Sequence, residues 1–416
     1  MTLVSLKQRN VLYICKKLFF MEPQKISFDN TEIAFAGKTD KDITRAYWLF
    51  KFISINWLVK VGPSLVNFAL KIHFPIKGLI RSTVFRHFCG GENIEGCERA
   101  ITDLAKYNIG TILDYSVEGR EDEESFDSTR NEILRTVDYA AKDKRIAFCV
   151  FKPTGLARHA LLEKIQNKEL LTNDEQAEYL RIKNRIEAIC RTCYEKNITL
   201  FIDAEQSWIQ DPIDDIALEM MRKFNKEKII VYTTIQMYRT DRLHYLKKIY
   251  NLSMAENFRT GFKIVRGAYM EKERIRASQM GYPSPIHITK ADTDRDYDAS
   301  VAFCLDHYEN VAVCAGTHNE KSSMNMAQFI IKNNIPKNHP HLHFSQLIGM
   351  SDHISYNVAH AGFNVTKYVP YGPVELVLPY LFRRAQENTS VKGQTGRELS
   401  LIIRERERRK NERMKE

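Results

Sequence analysis

The sequence predicts an α/β protein, a (β/α)8 barrel of the TIM type that follows a helical N-terminal arm. Two observations predict this fold. From about residue 110 onward, eight short apolar runs rich in β-branched residues alternate with eight amphipathic stretches. The runs lack polar alternation, which is typical of parallel strands buried on both faces. Eight strands that alternate with eight helices describe a closed barrel.

The predicted elements follow one another along the chain. The strands are expected at 111–115, 146–152, 198–204, 228–235, 261–267, 310–317, 341–347 and 364–370. The helices that follow them are expected at 127–142, 174–196, 214–226, 241–256, 295–308, 321–332, 351–361 and 374–388.

The arm precedes the barrel. Residues 22–40 are expected to be extended or looped, and helical periodicity runs from 40 to 108, with Asp40 and Asp42 as candidate N-terminal caps. The predicted domains are a basic extension at 1–21, the helical arm at 22–108, the barrel at 109–391 and a basic charged C-terminal tail at 392–416. Met21 offers an alternative start of translation, in which case residues 1–20 are not native.

An open, doubly wound sheet is the alternative fold. No two glycines lie two residues apart, so the Gly-x-Gly-x-x-Gly turn that binds dinucleotides is absent, and the chain has no complete P-loop. A nucleotide cofactor would have to be held in another way. A Gly-x-Ser-x-Gly elbow is absent as well, which argues against an α/β-hydrolase.

The formal net charge of +10 is concentrated at the two ends of the chain. Residues 1–20 carry four basic side chains and no acid, residues 392–416 carry nine basic and five acidic side chains, and the rest is nearly neutral. We therefore expect no nucleic-acid partner. The basic ends are instead candidates for contact with an anionic membrane surface. The apolar region 47–80 is interrupted by four lysines, so we expect no spanning helix there.

Two patterns that metal sites use are predicted to be structural here. Cys190 and Cys193 lie on the apolar side of a predicted helix, and no second Cys or His pair completes a zinc set. We interpret them as buried thiols of a reducing compartment. His339, His341 and His343 alternate along one strand, but they lie at its start, where barrels are stabilised rather than active. We expect no metal.

Polar side chains gather at the predicted strand ends, where barrel enzymes place their reactive groups. They are Asp114, Glu118, Lys152, Asp203, Glu205, Gln236, Arg266, Tyr269, His318, Asn319, Gln346 and Tyr368. Asp203 and Glu205 could act as paired carboxylates or form an ion-pair network with Lys152; both interpretations stay open from the sequence.

The last predicted helix carries an arginine pair, Arg383 and Arg384, followed by Glu387. Two guanidinium groups can bind a planar carboxylate with fork geometry. The alternative is an ion-paired helix end on the surface. The apolar segment that precedes the pair favours a position at the edge of the barrel, where a substrate carboxylate could bind.

At these residues the sequence resembles the proline dehydrogenase (proline oxidase) family over roughly 110–392. The matching segments, in the family's order, are Phe201-Ile-Asp-Ala-Glu205, Thr234-Ile-Gln-Met-Tyr238, Lys263-Ile-Val-Arg-Gly-Ala-Tyr269, Gly316-Thr-His-Asn319, Gln346-Leu-Ile-Gly-Met350, Tyr368-Val-Pro-Tyr-Gly372 and Arg383-Arg-Ala-Gln-Glu-Asn388. The resemblance implies a distorted (β/α)8 barrel that binds FAD without a dinucleotide fingerprint. It implies the monofunctional form, since the chain ends soon after the arginine pair.

The resemblance also implies a reaction and its residues. L-proline would be oxidised to Δ1-pyrroline-5-carboxylate by hydride transfer from C5 to flavin N5, and the electrons would pass to a quinone. Arg383 and Arg384 would hold the proline carboxylate. The proline pocket would be shaped by Lys152, Asp203, Tyr269, Leu347 and Tyr368. FAD would be contacted by Gln236, Lys263, Arg266, Gly267, Ala268, Tyr269, Thr317, His318, Asn319 and Glu387.

The chain departs from the family pattern at two positions: Lys263 replaces an arginine of some relatives, and Met270 replaces an aromatic residue. The expected location is the bacterial cytoplasm at the inner membrane, or the mitochondrion if the source is eukaryotic. Two alternative functions remain: a hydroxyproline oxidase on the same fold, which Tyr368 disfavours, and a (β/α)8 lyase that uses Lys152 as a Schiff base.

Overall fold

A computed structural model describes residues 26–72, 74–117, 121–390 and 394–415. Its centre is a closed barrel of eight parallel strands, each hydrogen-bonded to the next along the chain, with β8 returning to β1. The strands β1 to β8 are Ile109–Tyr115, Ile146–Phe151, Thr199–Ile202, Val231–Gln236, Thr260–Val265, Val311–Gly316, Leu342–Leu347 and Val365–Tyr371. The predicted barrel and all eight predicted strands are confirmed.

The pairing along the barrel is uneven. β1 pairs with β8 over its whole length, from Ile109 opposite Val365 to Tyr115 opposite Tyr371. β3 is short, and the β1–β2 register shifts after Thr111. Because all strands are parallel, their carboxyl ends meet at one edge of the barrel, where a site can be assembled.

Helices surround the barrel, and every helix predicted between the strands is present, with shifted ends. They are Glu123–Ala140, Asn173–Lys196, Ser207–Phe224, Arg242–Glu256, Lys290–Asp306, Glu320–Lys332, Asp352–His360 and Val374–Ser390. Two further helices, His159–Gln166 and Met270–Met280, lie in the loops after β2 and β5 and were not predicted.

Local chemistry explains where the longest of these helices begins and ends. Thr172 accepts a hydrogen bond from the backbone N–H of Glu175, and the Glu175 side chain accepts one from the backbone of Thr172. This reciprocal capping box satisfies two N–H groups that the first turn cannot pair. At the other end, Asn197 adopts the left-handed conformation that closes a helix. Cys190 and Cys193 are buried on this helix, which confirms the predicted buried thiols.

The arm consists of Thr31–Ala34, Asp40–Ile53, Asn56–Lys71, Lys77–Ile80, a single π-helical turn Arg81–Phe85, and the short helices Arg86–Phe88 and Glu98–Ala105. Thr39 caps Asp40–Ile53, and Asp42 accepts the return hydrogen bond. The cap is therefore Thr39, one position before Asp40, and Asp42 takes part as the N3 residue of the capping box. The segment 22–40, which was predicted to be extended or looped, contains the short helix Thr31–Ala34.

The C-terminal segment that we predicted to be a charged tail forms the helix Gln394–Arg413. Leu401 and Ile402 are buried against the arm, so the helix is packed and not a solvated end. Glu405 is also buried and pairs with Arg408 and Arg409. Much of the positive charge at this end is therefore neutralised within the chain. The basic extension predicted at 1–21 lies outside the described residues.

The barrel interior is filled with apolar side chains at its amino-terminal end. The Phe148 and Phe201 rings stack with centroids 4.5 Å apart, and His343 packs edge-on against Phe148. Burial lowers the pKa of His343 to about 4, so the ring is neutral near pH 7. Within the described part of the chain, His, Cys, Asp and Glu form no group of three arranged to hold a metal ion.

Candidate active site

A cavity of about 570 Å³ opens at the carboxyl ends of the strands. Its size is that of a small-molecule or cofactor site. It brings together every residue that the resemblance assigns to proline or FAD and whose side chain the structure describes: Lys152, Asp203, Gln236, Lys263, Arg266, Gly267, Ala268, Tyr269, Thr317, His318, Asn319, Leu347, Tyr368, Arg383 and Arg384. Of the other strand-end residues, Gln346 lines the cavity, whereas Asp114 and Glu205 do not. The side chain of Glu387 and all of Glu118 lie outside the described residues.

Asp203 is the centre of a buried network. Its Oδ1 lies 2.6 Å from Lys263 Nζ and accepts a hydrogen bond from Thr234 Oγ1 at 3.0 Å. Its Oδ2 accepts from the Tyr368 hydroxyl, also at 3.0 Å. Burial would raise the pKa of the Asp203 carboxyl, but Lys263, Lys152 and these hydrogen bonds hold it below its usual range. The carboxylate is therefore ionised near pH 7.

Lys152 forms a second ion pair beside the first, because its Nζ lies 3.1 Å from Oδ2 of the fully buried Asp114. Glu205 faces elsewhere and accepts hydrogen bonds from the backbone and hydroxyl of Thr154, which fixes the loop after β2. Of the two interpretations of Asp203 and Glu205, the geometry favours an ion-pair network. Its direct partner for Asp203 is Lys263, and Lys152 contributes at longer range.

Tyr368 connects the two ion pairs. Burial, and then the negative charges of Asp114 and Asp203, raise the pKa of its phenol well above the usual range, so the hydroxyl stays protonated. Lys263 Nζ lies 4.6 Å from the Tyr368 ring centroid, within cation–π range. Lys263, which the resemblance assigns to the flavin, thus lies among the residues assigned to the proline pocket.

The loop after β5 brings backbone to the cavity. Gly267 has φ +128°, and a Cβ there would lie 2.6 Å from the Tyr238 ring, so only glycine fits. Gln236 supports the same loop, since its side chain donates to the Glu205 carbonyl at 2.6 Å and accepts from the Ala268 N–H at 3.3 Å.

Arg266 is held on every side. Its guanidinium donates to Asp294 at 2.7 Å, to Thr317 at 2.6 Å and to Ser322 at 2.9 Å, and it stacks over the Tyr297 ring. These contacts fix its planar fork before any ligand arrives, which lowers the entropic cost of binding an anion.

His318 contributes a hydrogen-bonding ring and no charge. Its Nδ1 lies 2.9 Å from the Ser351 hydroxyl. Burial, together with the positive charges of Lys367 and Arg384, lowers the pKa of His318 to about 3. Lys263 and Arg266 are thus better suited than His318 to stabilise negative charge in the cavity. Asn319, the next residue, caps the helix Glu320–Lys332 through its side chain.

The arginine pair lies on Val374–Ser390, which we call the arginine helix. Arg384 is buried and its guanidinium lies 5.1 Å from the Tyr380 ring centroid, while Arg383 is half-buried. Val377 and Leu378 anchor the helix in an apolar cluster, of which Leu347 is a partly buried neighbour. The predicted alternative, an ion-paired helix end on the outer surface, is wrong, since both arginines line the cavity.

The cavity is strongly cationic. Among the residues that the structure describes, eight Lys or Arg side chains line it against three Asp or Glu side chains. This donor set suits a ligand with several negative charges, such as a diphosphate together with a carboxylate. A dinucleotide of FAD's class fits the volume, the charge and the exposed backbone of the loop after β5.

Sequence reasoning missed the contribution of Gln394–Arg413, the C-terminal helix. Arg397 and Glu398 line the cavity, and Glu398 accepts a hydrogen bond from the Ser351 N–H at 2.5 Å. Thr234 and Ser351 were missed as well. Thr234 belongs to one of the segments that match the family, at the end of β4. The alternation of side chains along that strand could have indicated that Thr234 points into the barrel. The charge run 397–413 gave no such signal.

Comparison with known proteins identifies the family of the chain. A model of the proline dehydrogenase family matches residues 97–397. The chain is 31% identical to the mitochondrial proline dehydrogenase 1 of Dictyostelium discoideum, over 92% of this chain and 75% of that protein. It is 32% identical to the mitochondrial proline dehydrogenase 1 of Arabidopsis thaliana, over 93% of this chain and 88% of that protein.

Among solved structures, proline utilization A from Bdellovibrio bacteriovorus, inactivated by N-propargylglycine, superposes with a TM-score of 0.69 at 22% identity. The superposition covers 86% of this chain and 38% of that larger one. It supports the barrel fold. The sequence matches, which extend over most of this chain, show that it belongs to the proline dehydrogenase family.

Proposed function

We propose that this enzyme oxidises L-proline to Δ1-pyrroline-5-carboxylate in the cavity at the barrel mouth, with FAD as its flavin. One observation carries the proposal. The arginine pair and the Asp203–Lys263–Tyr368 network line the same cavity, so a carboxylate anchor and a buried charged pocket are available to a single small molecule.

The residues that line the cavity have different roles in binding proline. Arg383 and Arg384 bind the proline carboxylate and fix the orientation of the ring. Leu347 and Tyr269 supply apolar contact for the ring methylenes. Tyr368, whose hydroxyl is held by Asp203, limits the space beside the ring and disfavours a hydroxylated substrate.

FAD, when bound, supplies the acceptor for the hydride that leaves proline C5. Loss of that hydride, together with the proton on the ring nitrogen, leaves a C5=N double bond, and the resulting molecule is Δ1-pyrroline-5-carboxylate. Gln236, Arg266, Thr317 and the backbone of Gly267 and Ala268 would hold FAD, with His318, Asn319 and Glu387 as the further predicted contacts. Lys263 and Arg266 provide the positive charge that favours electron transfer into the cavity.

We propose a quinone as the final electron acceptor and peripheral contact with the membrane that contains it. None of the helices in the described ranges has the length and apolar character needed to cross a bilayer. For a eukaryotic source we propose a mitochondrial location, in keeping with the names of the two relatives above. For a bacterial source we propose the cytoplasm, at the inner membrane.

Substrate comparison tests this proposal. Purified enzyme is supplied with L-proline or trans-4-hydroxy-L-proline and a redox dye, and the pyrroline product is trapped with o-aminobenzaldehyde. We expect product from proline and much less from hydroxyproline. The reverse preference would favour the hydroxyproline oxidase. If neither substrate gives a product, the assignment of the enzyme as a proline oxidase is wrong.

The lyase alternative depends on Lys152 as a neutral nucleophile. Lys152 instead donates to the buried carboxylate of Asp114, which favours its charged form. Borohydride trapping decides between the two, because a Schiff base would be fixed covalently at Lys152, whereas our proposal expects no adduct there.

A further inference from the structure

The outer face of the arm exposes an unusual amount of apolar surface. Every exposed Trp or Phe within the described ranges lies between positions 48 and 74. Aliphatic side chains extend the same surface to position 79. We call this surface the apolar arm face; its members are Trp48, Phe52, Trp57, Val61, Leu65, Phe68, Ile72, Phe74 and Leu79.

The helix Asn56–Lys71, which we call the arm helix, organises this surface. Trp57, Val61, Leu65, Phe68 and Ile72 are exposed by 44–63%. At about 100° per residue, these five positions fall within an arc of roughly 80° on one side of the helix axis. Val66, outside this arc, packs against the apolar cluster beneath. The helix is therefore apolar on the side that faces away from the protein as well as on the side that faces the cluster.

The arm segment that carries this face has charges of a single sign. The segment 43–91 contains seven Lys or Arg residues and no Asp or Glu. Lys51 lies beside the face, 5.1 Å from the Trp48 ring centroid. Lys77 and Arg81 follow along the chain and pair with Glu375 and Glu92, so Lys51 is the basic side chain placed directly against the exposed rings. Exposed aromatic rings beside a basic side chain are complementary to a bilayer that carries anionic headgroups.

We propose that the apolar arm face inserts into the headgroup and acyl boundary of an anionic lipid bilayer, with the arm helix lying in the membrane plane. The arm helix has 16 residues and carries lysines, so it is too short and too charged to span. This inference deepens the proposed function, because it names the surface through which the enzyme reaches a lipid-dissolved acceptor.

The arm helix is also connected to the site. It packs against the arginine helix. The cluster between them includes Met350 and Tyr380, which also line the active-site cavity, and Leu347 packs against the same cluster. The apolar cluster beneath the arm helix therefore extends to the wall of the active-site cavity.

Vesicle binding by the full-length, FAD-loaded enzyme tests the proposal. Phosphatidylcholine vesicles with and without phosphatidylserine are sedimented with wild type and with the triple variant Trp57→Gln, Leu65→Gln, Phe68→Gln. The matched control is Leu170→Gln, Met280→Gln, Ile288→Gln, three apolar residues elsewhere on the protein that are even more exposed. We expect stronger binding with phosphatidylserine, and the arm triple to lower the partition coefficient at least about tenfold while the control leaves it unchanged.

Tryptophan quenching gives an independent readout. The chain has three tryptophans, of which Trp48 and Trp57 belong to the apolar arm face and Trp208 is on a barrel helix. Brominated phosphatidylcholine should quench wild-type fluorescence and should leave the Trp48→Phe, Trp57→Phe variant, which reports Trp208 alone, nearly unquenched.

Other occupants of the face would overturn the proposal. Equal binding by wild type and the arm triple rules out insertion. A dimer that the arm triple dissociates, without vesicle binding, shows that a second copy covers the face. Binding that appears only after residues 1–25 are removed shows that this segment covers it. The rate of dye reduction by proline is measured in the same samples. A variant that reduces the dye normally but does not bind vesicles contradicts membrane insertion alone, whereas absence of dye reduction contradicts the proposed function.

Discussion

The barrel mouth and the apolar arm face depart from the usual distribution of residues in opposite directions. At the mouth, Asp203 and Lys263 are each only 8% exposed, although burying charge is costly. On the arm, Trp57 and Phe68 are more than 60% exposed, although burying them would stabilise the fold. Stability explains neither choice. The comparison teaches that each region is built for something the free chain lacks, a charged ligand at the mouth and an apolar environment at the arm.

Asp203→Asn should give the largest effect, because it leaves Lys263 buried without its charge partner. We expect the free energy of unfolding to fall by about 3–5 kcal/mol, the usual cost of breaking a buried ion pair. Denaturant titration measures it. Adding Lys263→Met should recover part of the loss, whereas strictly additive costs would contradict a direct pair.

Arg383→Met removes one of the two guanidinium groups that we propose to bind the proline carboxylate at the barrel mouth. The KM for proline should rise by a factor that corresponds to about 2–5 kcal/mol, the cost of truncating one partner of a charge-assisted contact, while FAD stays bound. Steady-state kinetics and the flavin spectrum measure both. Arg191→Met, at a solvent-exposed helical ion pair, is the matched control and should leave KM unchanged. A near-normal KM in Arg383→Met would remove the arginine-pair assignment.

Two substitutions of Glu398, to Gln and to Ala, test how the C-terminal helix contributes to the cavity. Glu398 accepts from the Ser351 N–H, and the Ser351 hydroxyl contacts His318, so the C-terminal helix positions a cavity residue through one intermediate. Gln keeps an acceptor oxygen for this hydrogen bond and Ala does not, so Glu398→Ala should weaken FAD binding more than Gln does, by about 1–3 kcal/mol. Flavin release on dilution measures this. Equal retention of FAD by wild type and Ala would show that the contact is only structural.

The smallest effect is expected on the arm. The triple Trp57→Gln, Leu65→Gln, Phe68→Gln should change the free energy of unfolding by no more than about 0.5 kcal/mol per site, since exposed substitutions away from contacts are nearly neutral. Thermal unfolding in the absence of lipid checks it. A large loss of stability would mean that these side chains are packed in the free protein, which would remove the contrast between the two regions.

Much of the barrel could be predicted from the sequence, because a strand buried on both faces is recorded locally as an apolar run. The mouth could be predicted as a set of strand-end residues, but their partners could not. From the sequence, Asp203 could form a carboxylate pair with Glu205 or an ion-pair network with Lys152 of a nearby strand. In the folded barrel Asp203 follows β3 and meets Lys263 of β5, because side chains of alternate strands share a layer inside the barrel.

The C-terminal helix shows the other limit. Its sequence is a run of charges with only two apolar residues that become buried, Leu401 and Ile402. Their partners lie at the opposite end of the chain, and Arg409 pairs with Asp40 across 369 positions. No local pattern encodes such a contact, so the segment reads as a solvated tail until the fold brings both ends together.

The visible spectrum of the purified enzyme tests the central claim most directly. We expect the absorption bands of bound FAD, and we expect L-proline to bleach them in the absence of oxygen, with one equivalent of Δ1-pyrroline-5-carboxylate formed per flavin. A colourless protein that cannot be loaded with FAD, or a flavin spectrum that L-proline leaves unchanged, would contradict the account.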